Sequence, residues 1–149
     1  MTSKFTILLI DDDDNDNFFH KRAIEKSGLK CDVRVCTGAV DALDYLQNKG
    51  SYADASSEYP KPDIIFLDIN MPIVNGWDFL ESYAALPDEL FRKPKVVIVM
   101  LSTSSNQHDR NRAQATKLVT EFMEKPLRPD GLVSLVHKYI ESNLTIEEK

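Results

Sequence analysis

The sequence predicts an α/β domain built on a five-stranded parallel sheet with helices on both faces. Three observations predict it. Short apolar runs alternate five times with segments of helical period, the pattern of a parallel sheet wrapped by helices and joined by right-handed crossovers. Runs such as Ile64-Ile65-Phe66-Leu67 are continuously apolar, as strands buried on both faces are. Polar residues then end these runs abruptly, Asp68 above all. In open α/β sheets ligands gather at the carboxyl ends of the strands.

The first strand is Phe5–Ile10, closed by Asp11-Asp12-Asp13-Asp14. A helix follows over Asn15–Ser27, with Asp14 as its cap and with Phe18, Phe19, Ala23 and Ile24 towards the core. Acidic residues suit its positive end, and Gly28 stops it. The second strand, Cys31–Cys36, alternates through Val33 and Val35, and Thr37 can cap a helix over Gly38–Asn48 whose inner side carries Val40, Leu43 and Leu46. Residues 50–62 form a loop, long beside the usual span of about 2–6 residues.

Asp63–Asp68 is the third strand. Pro72 and Asn75-Gly76 turn the chain into a helix with Trp77, Leu80, Tyr83 and Ala84 inward. Residues 87–94 are a polar link. The fourth strand, Val96–Leu101, ends in Ser102-Thr103-Ser104-Ser105. Its helix, Ser105–Lys117, has no apolar residue from Asn106 to Arg112, so little burial holds its first half and it should be the loosest element. The fifth strand, Leu118–Met123, runs into Glu124-Lys125-Pro126. The last helix starts near Pro129 and shows the cleanest inner face, Leu132, Leu135, Val136, Tyr139 and Ile140. Residues 143–149 read as a frayed tail.

The 149 residues suit one domain with one sizeable core. No repeat, linker or low-complexity stretch divides them, so residues 1–149 read as a single domain. A net charge of -6 argues against nucleic-acid binding and suits a cation or a basic partner surface. Cys31 and Cys36 lie on one short strand without a CxxC spacing, so they read as small buried hydrophobes. The first apolar stretch is too short for a signal peptide or a membrane span, which makes a cytoplasmic location the expectation. His20, His108 and His137 read as surface residues.

Four of the five strand ends carry reactive groups: Asp11 and Asp12, Asp68, Ser102 and Lys125. In a parallel sheet these ends share one edge, with neighbouring strands about 4.8 Å apart. If the first and third strands are neighbours, Asp12 and Asp68 repel by about 3 kcal/mol at an effective dielectric near 20. Crowded carboxylates of this kind want a hard divalent cation, and oxygen ligands suit magnesium. Taken singly, each feature has a plainer explanation as a cap, a turn or a solvated loop. Their order along the chain, each at a strand end, is what carries the argument.

These residues resemble the receiver domain of two-component response regulators. The matching pieces are Ile7-Leu8-Leu9-Ile10-Asp11-Asp12, Asp68-Ile69-Asn70-Met71-Pro72 with Gly76, Leu101-Ser102, and Phe122-Met123-Glu124-Lys125-Pro126. The resemblance implies a flavodoxin-like sheet of strand order 2-1-3-4-5. It implies that Asp68 accepts a phosphoryl group from a phosphohistidine of a sensor histidine kinase or a histidine phosphotransfer protein. Magnesium, for which manganese can substitute, would be held by Asp12, Asp68 and the backbone carbonyl of Asn70, with Asp11 acting mainly through water. Ser102 would bond the phosphoryl oxygens, Lys125 would pair with Asp68 or its phosphate, and Phe122 would be the aromatic switch behind Ser102. Arg110 and Arg112 on the fourth helix would report the change. Phe122 lacks a tyrosine hydroxyl, and Ser102 stands where threonine is more frequent. The long loops resemble those of stand-alone receivers paired with phytochrome-like kinases.

With no output domain expected, such a protein signals by docking, either to a target or as a relay to a histidine phosphotransfer protein, and not as an enzyme. The resemblance also allows a homodimer through the fourth and fifth helix face, and no role for DNA or a membrane is expected. A magnesium-dependent phosphatase of the haloacid-dehalogenase type is the rival. That chemistry wants a second acid two residues after the nucleophile, and Asn70 stands there. A docking domain that ignores phosphate is the third reading, against which Asp12, Asp68, Ser102 and Lys125 all speak.

Overall fold

The computed structural model describes residues 5–53, 60–87, 96–103 and 106–141. The expected tail at 143–149, the middle of the loop 50–62, nearly all of the link 87–94 and the start of the fourth helix lie outside the described residues.

Five strands form one parallel sheet: β1 (Phe5–Ile10), β2 (Cys31–Cys36), β3 (Ile64–Asp68), β4 (Val97–Ser102) and β5 (Glu121–Glu124). Their order is β2-β1-β3-β4-β5, as the resemblance implies. Five α-helices alternate with them: α1 (Asp14–Ser27), α2 (Ala39–Gln47), α3 (Gly76–Ala84), α4 (Gln107–Ala115) and α5 (Pro129–Val136), the last continuing as a π-helical turn over His137–Glu141.

The sheet is buried on both sides because successive strand residues point to opposite faces. Leu8, Ile10, Ile65, Leu67, Ile98 and Met100 pack with Ala42, Tyr45, Leu46, Trp77, Phe79 and Leu80. Ile7, Leu9, Ile64, Phe66, Val97 and Val99 pack with Ile24, Leu132, Leu135 and Val136. Thus α2, α3 and Ala113 of α4 cover one face, and α1 and α5 the other.

Several helix faces differ from expectation. Phe18 and Phe19 are 56% and 60% exposed, and the inward positions of α1 are Asn17, His20, Ala23 and Ile24. Its cap is Asp13, whose carboxylate accepts from the backbone N–H groups of Asn15 and Asp16. Asp14 is the first helical residue. On α2 the inner face is Ala39, Ala42, Tyr45 and Leu46, while Val40 is exposed and Gly38, not Thr37, is the cap. On α3, Phe79 is buried and Ala84 faces solvent. A strand needs a neighbour's ladder, and β5 has one only from Glu121, three residues later than its apolar run begins. Before it, the Leu118 N–H donates to the Thr116 hydroxyl. In α4 only Ala113 is buried, as its polar sequence predicts. Cys36 is buried and Cys31 half-buried, and neither is in a disulfide. Burial pushes the Cys36 thiol up to about 12, so it is inert at neutral pH.

Candidate functional site

Strand register sets the site. Ile10 pairs with Leu67, so the next residues, Asp11 and Asp68, stand side by side. Asp68 pairs with Leu101, and Ser102 with Glu124, which brings Ser102 and Lys125 to the same edge. The ladder continues past the strands: the Asp11 N–H donates to the Cys36 carbonyl at 3.2 Å, the Ile69 N–H to Leu101 at 3.3 Å, and the Lys125 N–H to Ser102 at 2.7 Å. Backbone bonds of the ladder thus reach Asp11, Ile69 and Lys125 beyond the strand ends. The Lys125–Pro126 peptide is cis.

Asp11, Asp12 and Asp68 each place a carboxylate oxygen within 4.8 Å of the others. Asp11 and Asp68 are buried, and Asp12 is exposed at the mouth. Three oxygen donors of this kind fit a hard divalent cation and no soft one. Asp11 is further committed, because one oxygen accepts from the Asp13 N–H at 2.9 Å and the other from Lys125.

The Lys125 ammonium lies 2.8 Å from Asp11, 2.7 Å from Asp16 and 3.1 Å from Asp68. Its three N–H donors thus face three carboxylates. Burial alone would pull its pKa down, but the bonds to Asp11 and Asp16 and the charge of Asp68 outweigh that and raise it. For Asp68, burial and the neighbouring Asp11 charge raise the carboxyl to about 6, against the opposing pull of Lys125 and of the Asn70 backbone N–H.

The loop after β3 explains the glycine eight residues beyond Asp68. A Cβ on Gly76 would meet the Asp68 carbonyl oxygen at 2.7 Å and Ile69 Cα at 3.0 Å. The Gly76 N–H donates to the Ile69 carbonyl at 2.9 Å. Asn75 closes a capping box with Asp78, which starts α3 directly over the strand end. Between them Ile73 is fully exposed with a φ of 69°, a left-handed conformation that a β-branched residue rarely adopts.

Ser102 is buried at the strand end. Phe122, paired with Met100, lies one pleat repeat before Glu124, the residue opposite Ser102, so Phe122 and Ser102 share the sheet face covered by α4. The Phe122 ring is half-buried with the Arg110 guanidinium 4.8 Å from its centroid, and Arg112 lies 4.4 Å from the Trp77 ring. Both arginines therefore touch aromatic residues near the site. Asn70 is exposed.

Sequence reasoning missed two residues, Asp16 and His20. Both lie on the sheet-facing side of α1, one turn apart. His20 is 2% exposed, not on the surface as expected. Burial, then the charge of Lys125, lowers its pKa against the opposing pull of Asp11 and Asp16. His108 and His137 are exposed, as expected. A helical stripe of Asp16, Asn17, His20, Ala23 and Ile24 was the available signal, masked because its first three members are polar. Beside the site, Phe18, Phe19, Ala23, Pro126, Leu127 and Pro129 line a groove edged by Arg22, Lys26 and Arg128.

Comparison with known proteins agrees with this geometry. The family model for the response regulator receiver domain matches residues 7–137. The chain is 28% identical over 136 residues to Two-component response regulator 24 of Arabidopsis thaliana, covering 91% of this chain and 84% of that one. A two-component response regulator from Cytophaga hutchinsonii superposes with a TM-score of 0.77 at 29% identity, over 93% of this chain and 99% of that one. The phosphorylated cyanobacterial phytochrome response regulator RcpA does so at 0.70 and 27%, over 91% of each chain.

Proposed function

The chain belongs to the response regulator receiver-domain family, and from that premise we propose that it is a phosphorylation-switched signalling protein whose phosphoacceptor is Asp68. An Asp68 carboxylate oxygen attacks the phosphorus of a phosphohistidine on a donor protein. The new bond is O–P, the bond broken is N–P, and the imidazole leaves with its electron pair and takes up a proton. Phosphoryl transfer needs placement and charge neutralisation more than covalent help, and the buried strand end supplies the placement.

The single observation that carries this reading is the convergence of Asp11, Asp12 and Asp68 at one strand edge, with Lys125 paired to Asp11 and Asp68. An anionic phosphoryl group would be repelled by those carboxylates alone. Magnesium, held by Asp12 and Asp68 with the Asn70 carbonyl and with Asp11 beside it, would supply the missing positive charge. Lys125 supplies the rest from the protein itself. Ser102 bonds the transferred phosphoryl oxygens and draws the end of β4 with it. The loosely buried α4 and the Phe122 ring follow, a local charge event biasing a weakly anchored element.

The donor is a sensor histidine kinase or a histidine phosphotransfer protein. It must cover the mouth of the pocket to reach Asp68. The apolar groove of Phe18, Phe19 and Leu127 borders that mouth, and its edge of Arg22, Lys26 and Arg128 suits a donor helix with acidic flanks.

Trp77, the only tryptophan in the chain, follows Gly76 and reports the site by fluorescence. The expected result is a saturable change with magnesium and a second with beryllofluoride, both lost in Asp68→Asn. Equal responses from wild type and Asp68→Asn would contradict the assignment.

A further inference from the structure

We propose that Asp16 is a positioning residue for Lys125: it holds the ammonium from outside the cation-binding carboxylates, so that Lys125 stays at the phosphoacceptor when those carboxylates turn to a metal ion. The inference rests on the reading of Asp68 as phosphoacceptor and extends it to a residue the sequence did not single out.

Asp16 makes the shortest of the three ion pairs to Lys125, 2.7 Å, against 3.1 Å for Asp68. Asp11 and Asp68 also belong to the group of three whose oxygens lie within 4.8 Å, and Asp16 does not. A dication held by Asp12 and Asp68, with Asp11 beside it, would draw on the charge that attracts Lys125 and would repel the ammonium directly. Asp16 alone remains uncommitted to that cation.

The first turn of α1 is tied down, so Asp16 is fixed where it stands. Asn17 Nδ2 donates to the Asp11 carbonyl oxygen at 2.9 Å, and the Asp13 N–H donates to the Asp11 carboxylate at 2.9 Å. The Lys125 side chain is 9% exposed and that of Asp16 32%, so Asp16 holds the ammonium from the outer rim of the pocket. Without it, a long flexible side chain beside a dication has solvent open to it.

The sign of the effect separates positioning from plain electrostatics. Removing a negative charge near an anion site should by itself tighten anion binding. Loss of a positioning contact should weaken it. The test measures beryllofluoride affinity in saturating magnesium for wild type, Asp16→Asn, Asp16→Glu and the first-turn control Asp14→Asn, each also with Lys125→Ala, and Asp16→Ala checks that the result is not peculiar to Asn. The expected result is about tenfold weaker binding for Asp16→Asn and Asp16→Ala, recovery to within about threefold of wild type in Asp16→Glu, and no weakening in Asp14→Asn. In the Lys125→Ala background Asp16→Asn should weaken nothing further, the signature of coupled residues.

Unchanged or tighter binding by Asp16→Asn, an equal loss with and without Lys125, or no recovery in Asp16→Glu would overturn the proposal while leaving Asp68 as the acceptor. A wild type that binds no beryllofluoride would overturn both.

Discussion

Gly76 stands so close to the end of β3 that a Cβ there would lie 2.7 Å from the Asp68 carbonyl oxygen. The two nearest obstacles are backbone atoms of Asp68 and Ile69, and backbone cannot rotate away as a side chain can. Gly76→Ala should therefore cost about 1–3 kcal/mol, the range for overpacking a close-packed interior. Urea unfolding measures it. Magnesium affinity should fall as well, because the displaced strand end carries Asp68. Unchanged stability would show that α3 can shift without cost.

Asp68 makes the metal-free protein sensitive to pH. Its carboxyl is raised from 3.8 to about 6 by burial and by the Asp11 charge. An acid raised by folding adds stability that is full below its unfolded pKa and lost as pH rises through its folded one. At pH 7 in chelator, Asp68→Asn should therefore be more stable than wild type by about 3 kcal/mol. Magnesium affinity should fall as pH drops through about 6, because protons compete for the same oxygen. Denaturation of the two proteins at pH 7 checks the first expectation, and metal titration from pH 7.5 to 5 checks the second.

His20 works in the opposite direction. Burial and the Lys125 charge hold its imidazole below its ordinary 6.5, with Asp11 and Asp16 pulling the other way. A base depressed by folding contributes stability that is present above its unfolded pKa and lost as pH falls towards its folded one. Stability should decline as pH drops below about 6.5, and His20→Gln should flatten that decline. Comparing wild type and His20→Gln in chelator isolates the His20 contribution from that of Asp68. Identical slopes would mean that His20 titrates as it does in the unfolded chain.

The groove beside the site separates docking from chemistry. Phe18 and Phe19 are exposed there, so alanine at either should leave the core intact. Phe19→Ala with Phe18→Ala should slow transfer from a phosphohistidine donor by about tenfold or more, the loss of well-placed aromatic anchors. Phosphorylation from acetyl phosphate should stay within about twofold of wild type. Equal losses from both donors would place the two rings in the chemistry, not in the interface.

The sheet was legible because each strand is an apolar run cut short by a polar residue, as Phe66-Leu67-Asp68 shows. The strand order was not in that pattern; it came from the likeness of Asp68-Ile69-Asn70-Met71-Pro72 to a family. The inner face of α1 was misread for a physical reason. Hydrophobic periodicity finds Phe18 and Phe19, whereas the buried positions Asn17 and His20 are polar, and Asn17 bonds the Asp11 carbonyl. Nothing in the sequence singles out Asp16, because acids in a first helical turn are ordinarily accounted for by the helix dipole. Only the fold brings it to a lysine more than a hundred residues away. The apolar run overstates β5, because Leu118 and Val119 are apolar enough for a strand yet pack against the core before the ladder begins.

The most direct test is to phosphorylate the protein with acetyl phosphate and magnesium and to locate the modified residue by peptide mass mapping after borohydride reduction. The account predicts one phosphoryl group per chain, on Asp68, lost in chelator and absent from Asp68→Asn. Labelling of Asp68→Asn to the wild-type level, or a modified residue elsewhere in the chain, would contradict it.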